Sequence, residues 1–242
     1  MIILNLKPYQ AKELFQKINN LRAFVRLKLK LLQFLKTSWH GNEALHVPFV
    51  CIDEETTRVF MVNGDGRKII SFSFDLVLQT KSFDLKDSGN YIERVGFPTY
   101  PEEITDRMVS EAISIAEGIE SSHSKLYWDL DLYDNFNGED IDKNSIMFFE
   151  YIATQEAGYL RYDDAPTDER LPYHPRCHID VNYTSNISYK LGLLDTINYE
   201  DLLFMIKRET TCSYLQIHHS KYSALQFPIC KKKLKKKKRK KR

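Results

Sequence analysis

The longest regular pattern of apolar residues runs from Tyr9 to Leu35. Its leucine, isoleucine and valine positions recur every three or four residues, which predicts one amphipathic helix. The piece from Val25 to Leu31 also alternates apolar and basic residues with period two, as a strand would. Helix is favoured because Leu, Lys and Arg are good helix formers. The apolar stripe of this helix is expected to be core or a seam for a protein partner.

A β pattern follows between Val47 and Leu78. Three runs rich in β-branched and aromatic residues begin at Phe49, Arg58 and Lys68. The last two are separated by Asn63-Gly-Asp-Gly66, and Asn-Gly and Asp-Gly supply the positive φ that a tight hairpin requires. The sequence therefore predicts an antiparallel hairpin here rather than a phosphate-binding loop, which would precede a helix.

The second half of the chain mixes both kinds of element. The segment Pro101–Glu120 has a helical apolar stripe with acidic residues in its first turn. Ser145–Thr154 has a thick apolar centre and is predicted to be a strand. Asn198 has the chemistry of a helix N-cap, with Asp201 at the third helical position, so a last helix is expected after it.

Ionisable residues crowd together between Gly158 and Asp180. We predict two strands there, one returning from Tyr159 to Asp163 and one from His178 to Tyr183, joined by a proline-rich loop. Side chains alternate faces along a strand. Neighbouring strands would therefore place five candidate site residues on or above one polar face: Arg161, Asp163, His178 and Asp180, with His174 above them on the loop.

These residue types suit phosphate chemistry. A histidine beside a carboxylate is held in one tautomer and exchanges protons near neutral pH, so His178 is a candidate general acid or base oriented by Asp180 or Asp163. The fork of Arg161 can bind a phosphate through two hydrogen bonds, and His174 is a second acid/base or ligand. Two alternatives stay open: the same His and Asp residues could hold a divalent metal, or the cluster could consist only of cross-strand salt bridges. Whether the chain is an enzyme is left undecided.

Composition favours a cytoplasmic setting. The four cysteines have no CxxC spacing, so neither a zinc site nor a small disulfide scaffold is indicated. The first residues lack the apolar stretch and cleavage site of a secretory signal, and no apolar run reaches the roughly 18 residues of a membrane span. We expect no membrane span.

Charge divides the chain in two. Basic residues occupy 11 of the 12 positions from Lys231 to Arg242, and without them the chain has 24 basic against 33 acidic residues. Charge of this density keeps a segment extended, so residues 231–242 are predicted to be a disordered tail after a single α+β domain over residues 1–230. Such a tail could bind nucleic-acid phosphates without sequence preference; a solvated tail, or one that lies on the acidic body, are the alternatives.

The segments Leu160-Arg-Tyr-Asp-Asp and His174-Pro-x-x-His178-Ile-Asp resemble a bacterial domain-of-unknown-function family, numbered twenty-two-ninety. The resemblance covers about residues 140–215. That family tends to have His where this chain has Asp180, which weakens a mechanism that uses two histidines. The resemblance implies a bacterial cytoplasmic protein, encoded with anti-phage or mobile-element genes, and it carries over no established activity.

Together these patterns predict an α+β fold: an antiparallel sheet with N-terminal, middle and C-terminal helices packed on one side. The leading functional hypothesis is a bacterial defence- or toxin-type protein that acts on nucleic acid as a nuclease through the His/Asp/Arg cluster. One rival is a non-catalytic subunit that docks a larger ATPase or nuclease through the helix Tyr9–Leu35. The other is a non-specific nucleic-acid binder that depends on the tail Lys231–Arg242.

Overall fold

The computed structural model describes residues 1–37, 39–41, 46–82, 89–121, 141–171, 174–182 and 189–207. The chain divides into two units, Met1–Thr210 and Thr211–Arg242. Only the first contains described residues, so the predicted basic tail lies outside them.

The described residues form five helices and ten strands. The helices are α1 (Pro8–Leu14), α2 (Leu21–Lys36), α3 (Asp106–Ser121), α4 (Lys143–Thr154) and α5 (Tyr199–Ile206). The strands of the first half are β1 (Ile2–Asn5), β2 (Trp39–Gly41), β3 (Phe49–Asp53), β4 (Arg58–Val62) and β5 (Lys68–Ser73). Those that follow are β6 (Val77–Ser82), β7 (Gly89–Gly96), β8 (Leu160–Asp164), β9 (Cys177–Val181) and β10 (Tyr189–Gly192).

Two antiparallel sheets organise the strands. The larger sheet has seven strands in the order β1-β3-β4-β5-β8-β9-β10, and the smaller has the order β2-β7-β6. The hairpin predicted from Asn63–Gly66 is confirmed: β4 and β5 pair antiparallel, with Val62 opposite Ile69. The α+β class and the antiparallel sheet are therefore confirmed.

A long segment departs from the large sheet and returns to it between two adjacent strands. It leaves after β5 and rejoins at β8, and it includes the smaller sheet's β6 and β7 with helices α3 and α4. Its two ends meet, because the Ser73 N–H donates to the Ala157 carbonyl over 3.1 Å. The strands that flank this segment can therefore pair as direct neighbours.

The prediction of one helix from Tyr9 to Leu35 is wrong, because the chain breaks into α1 and α2. The break has a local cause at Asn20, whose backbone is extended and whose side-chain oxygen accepts the Ala23 N–H over 2.8 Å. An asparagine used in this way begins a helix and so separates it from the preceding one. The apolar face of α2 is buried in the core, so it offers no exposed seam for the predicted protein partner.

The prediction of a strand over Ser145–Thr154 is also wrong, because the segment is helix α4. Asp142 caps it by accepting the Asn144 N–H over 2.9 Å. Residues 145, 146, 148, 149, 152 and 153 are buried, which is helical spacing. The helix predicted over Pro101–Glu120 does form, but it begins five residues later, at Asp106.

The large sheet separates two cores. Alternate strand residues such as Val50 and Ile52 join α2, α3 and α4 in the larger core, while Phe49 and Cys51 join α5 in the smaller one. The sequence predicts that all helices pack on one side of the sheet, and this part of the prediction is wrong. The C-terminal helix α5 lies on the opposite face because Tyr199 packs edge-on against Phe49 and Phe60.

One charged residue lies inside the larger core. Lys28 on α2 is 1% exposed, and its ammonium lies 4.8 Å from the ring centre of Phe24 and 5.4 Å from that of Phe74. Its Nζ reaches the Glu156 carbonyl oxygen at 3.4 Å. Burial lowers the pKa of Lys28 to about 8.

Among the described residues, no helix combines the length and the apolar character that crossing a membrane requires.

Candidate functional site

Strands β8, β9 and β10 bring the candidate residues together at one end of the large sheet. Strand β8 pairs antiparallel with β9, so that Arg161 lies opposite Asp180 and Asp163 lies opposite His178. The alternate residues of both strands, such as Tyr162 and Ile179, enter the smaller core and leave the polar set on the other face. The structure thus has the strand neighbours that the predicted cluster requires.

Arg161 links the two carboxylates. Its Nε donates to Asp163 Oδ2 over 2.5 Å, and its NH2 donates to Asp180 Oδ2. The guanidinium therefore binds one carboxylate on its own strand and one on the next. The side chain of Asp180 is 6% exposed and that of Arg161 is 24% exposed, so the pair lies at the border between core and solvent.

A lysine that the sequence analysis did not select completes the cluster. Lys190 on β10 lies opposite Asp180 in the strand register. Its Nζ lies 2.5 Å from Asp180 Oδ1 and 3.0 Å from His178 Nε2. The available signal was the alternation of Tyr189-Lys-Leu-Gly192, which places Lys190 on the polar face, but no strand was predicted there.

The hydrogen bonds of His178 fix its tautomer. Its Nδ1 lies 2.8 Å from the Pro175 carbonyl oxygen, which can only accept, so Nδ1 carries the proton. Nε2 then presents its lone pair to the Lys190 ammonium. Burial and the positive charge of Lys190 lower the pKa of His178 below its usual value, so the ring is neutral at pH 7.

Nε2 of His178 faces both carboxylates as well. It lies 3.7 Å from Asp163 Oδ2 and 3.8 Å from Asp180 Oδ2. One ligand atom from each of these three residues lies within 4.8 Å of the others, which is compatible with a metal site. In the structure, the ammonium and the guanidinium supply the positive charge that these acceptor atoms require.

His174 lies beside the cluster, as predicted. Its ring packs edge-on against that of His178, with 4.6 Å between ring centres. His174 Nδ1 is buried and has no hydrogen-bond partner among the described residues. The backbone of His174 is held by paired hydrogen bonds to Arg170, of 2.8 and 2.9 Å.

A second lysine borders the cluster on β5. Lys68 lies opposite Asp163 in the register, on the same face as Arg161. Burial lowers the pKa of Lys68, and the negative charge of Asp163 partly offsets this effect. Three cationic side chains, those of Arg161, Lys68 and Lys190, and the two carboxylates of Asp163 and Asp180 therefore share this face of the sheet.

The structure therefore brings together all five predicted residues and adds Lys190 and Lys68. Two kinds of chemistry are compatible with the arrangement: binding of an anion by the arginine and lysines, and proton or metal binding by the acceptor atoms beneath them. The alternative explanation is that these contacts are cross-strand salt bridges that stabilise the sheet and have no catalytic or binding role.

A scan against protein-family models and searches among curated proteins and solved structures find no match to this chain.

Proposed function

We propose that the protein cleaves phosphodiester bonds of nucleic acid at the cluster formed by Arg161, Asp163, His178, Asp180 and Lys190. The observation that supports this proposal is the convergence of a guanidinium, an ammonium and a neutral histidine around two carboxylates on one half-buried face. Phosphodiester cleavage requires cations that bind the phosphate and an acceptor for a proton.

The roles follow from position. Arg161 and Lys190 are the more exposed members, with side chains 24% and 26% exposed, so a phosphate would meet them first. His178 lies beneath them with its Nε2 lone pair directed at Lys190. A phosphate that attracts the ammonium of Lys190 would therefore also uncover the proton-accepting atom.

In the proposed reaction, His178 is the general base. The oxygen of a water molecule or of a ribose 2′-hydroxyl forms a bond to phosphorus, and its proton passes to Nε2. The bond from phosphorus to the leaving oxygen breaks, and that oxygen takes up the proton. In a second route, Asp163, His178 and Asp180 would hold a divalent cation, which would lower the pKa of water and stabilise negative charge on the phosphate.

A role in bacterial defence or as a toxin belongs to the same proposal. It is supported by the likeness of Leu160–Asp164 and His174–Asp180 to the family named above. The basic residues 231–242 would add affinity for nucleic acid of any sequence.

The test compares His178→Ala with wild type on labelled single- and double-stranded RNA and DNA, with chelator or with added divalent cations. We expect the rate to fall by about 10²–10⁴-fold, the range for losing an acid/base group. The matched control is Asp164→Asn, since Asp164 is on β8 next to Asp163 but faces away from the cluster and pairs with Arg176 at 2.7 Å. Cleavage by His178→Ala at the wild-type rate, on every substrate that wild type cleaves, would refute the proposal.

A further inference from the structure

The acceptor atoms of the cluster face one another, an arrangement that is stable only with a cation among them. Nε2 of His178 bears a lone pair because its proton is on Nδ1, and the two nearest carboxylate oxygens are 3.7 and 3.8 Å away. The ammonium of Lys190 is the cation that contacts both His178 and Asp180. The Lys190 ammonium therefore lies where a bound metal ion would contact His178 and Asp180.

We propose that Asp163, His178 and Asp180 bind one divalent cation of the zinc or manganese type, which takes the place of the Lys190 ammonium. The inference deepens the proposed function, and it rests on that function for the role of the cation in cleavage. Binding of the cation can be tested without nucleic acid.

The spacing of the ligand atoms fits such an ion. Two ligands at the tetrahedral angle, each about 2.1 Å from a metal, are about 3.4 Å apart. The distances of 3.7 and 3.8 Å from His178 Nε2 to the two carboxylates exceed that value by only a few tenths of an ångström. Both of these carboxylate oxygens also accept hydrogen bonds from Arg161, and the ligand atoms of the three residues lie within 4.8 Å of one another. Rotation of the carboxylates, to free these oxygens or to present the other two, would bring the set to bonding distance.

His178 also has the outer hydrogen bond that a ligand histidine needs. Metal-bound histidines usually donate their other N–H to a carbonyl or carboxylate, which fixes the tautomer and directs the ring. In this protein, the Pro175 carbonyl accepts that hydrogen bond from His178 Nδ1. His178 is 1% exposed, so it would hold the ion from the buried side of the cluster.

The departure of Lys190 would release two ligand atoms together. Asp180 Oδ1 and His178 Nε2 both contact its ammonium, whereas Arg161 holds the other oxygen of Asp180. Arg161 can therefore keep its contact with Asp180 Oδ2, but it also donates to Asp163 Oδ2, so Asp163 would bind the ion through its other oxygen. One nitrogen and two carboxylate oxygens suit zinc or manganese better than magnesium, and a three-residue set leaves a coordination position for water.

The experiment measures binding of Zn²⁺ and Mn²⁺ to the full chain by calorimetry, with Mg²⁺ for comparison. Lys190→Met should bind Zn²⁺ about tenfold or more tightly than wild type, because the competing ammonium is gone. His178→Ala and Asp163→Asn should each lose about tenfold or more of the affinity at this site. The control Asp164→Asn should bind as wild type does.

Equal Zn²⁺ affinity and stoichiometry in wild type, Lys190→Met and His178→Ala would overturn the proposal. Where a variant does not fold, Mn²⁺ is added to wild type instead, and the His178 ring resonances are followed by NMR. Selective broadening of those resonances supports the site, and its absence refutes it. If the ion binds but nucleic acid is not cleaved, the metal site stands and the proposed function fails.

Discussion

Replacing Lys28 by methionine should stabilise the protein at neutral pH. Methionine retains most of the side-chain volume and removes an ammonium that is 1% exposed among aromatic rings. The native pKa of about 8, against an ordinary value of 10.5, means that the folded state holds this proton less well than the unfolded chain does. At about 1.36 kcal/mol per pKa unit, the protonated lysine costs the fold about 3 kcal/mol below pH 8.

Part of this cost is offset by interactions that only the ammonium makes. Two cation–π interactions, at 4.8 and 5.4 Å, and a 3.4 Å hydrogen bond to the Glu156 carbonyl favour the charged lysine over methionine. Cation–π interactions are worth about 0.5–2 kcal/mol each. At the low end of that range the two interactions offset about 1 kcal/mol, so the net stabilisation expected from Lys28→Met is at most about 2 kcal/mol at pH 7.

The pH dependence gives a sharper test than the size of the effect. Between pH 8 and 10.5 the unfolded state binds the lysine proton and the folded state releases it, so the wild-type penalty shrinks as pH rises. Burial raises the pKa of Cys51 to about 11, so the contribution of Cys51 to stability falls as pH rises. Cys51 is present in wild type and in Lys28→Met, so its contribution cancels in the difference between them. The difference in unfolding free energy between wild type and Lys28→Met should thus fall steadily over this range.

The measurement is urea unfolding of both proteins from pH 7 to pH 10.5. Lys30→Met is the matched control, since Lys30 is on the same helix, its side chain is 21% exposed, and it pairs with the half-exposed Glu117 at 3.8 Å. The control should change stability by no more than about 0.5 kcal/mol at any pH. A constant difference between wild type and Lys28→Met across the range would refute the assignment of a depressed lysine pKa.

Two other predictions concern a turn and the tail. Gly158→Ala should destabilise the protein by about 1–3 kcal/mol in urea unfolding, because φ is +46° and a Cβ would lie 2.2 Å from Ser73 Oγ. Gly66→Ala, at φ +69° with open space around it, should cost about 1 kcal/mol, and equal losses in the two variants would contradict the steric argument. Deleting residues 231–242 should weaken nucleic-acid binding and flatten its dependence on salt, by about 0.9 in log–log slope for each phosphate that the tail neutralises. An unchanged slope, measured by fluorescence anisotropy, would show that the tail does not bind nucleic acid.

Local chemistry explains which elements could be predicted from the sequence. The β4–β5 hairpin follows from the positive φ that its Asn-Gly-Asp-Gly turn demands, and Gly66 indeed has φ +69°. Helix α5 follows from Asn198, which forms the expected capping box with Asp201. In both cases a few adjacent residues determine the conformation.

The errors arise where a local pattern fits two structures. In α4 the run Ile146-Met-Phe-Phe149 has no clear period, and burial on one side is decided by packing against the rest of the core. The break before α2 depends on one asparagine inside an otherwise continuous apolar stripe.

The cluster could be predicted only in part for a related reason. Arg161, Asp163, His178 and Asp180 follow from alternation along β8 and β9, two strands that are consecutive in the chain and pair with each other. Lys190 is on a strand of four residues, and Lys68 is on β5, more than a hundred positions before His178 in the chain. No spacing rule relates them to His178, because only the strand order of the sheet makes them neighbours.

The hydrogen bond between Ser73 and Ala157 has a consequence for how such a protein can diversify. It closes a loop whose contents, from β6 to α4, build one wall of the larger core, while β8 to β10 carry the whole polar cluster except Lys68. The helical wall of the larger core and the polar face therefore belong to separate, contiguous stretches of the chain. Mutation or recombination within residues 160–192 can alter the polar face while the helical wall, encoded upstream, is inherited intact.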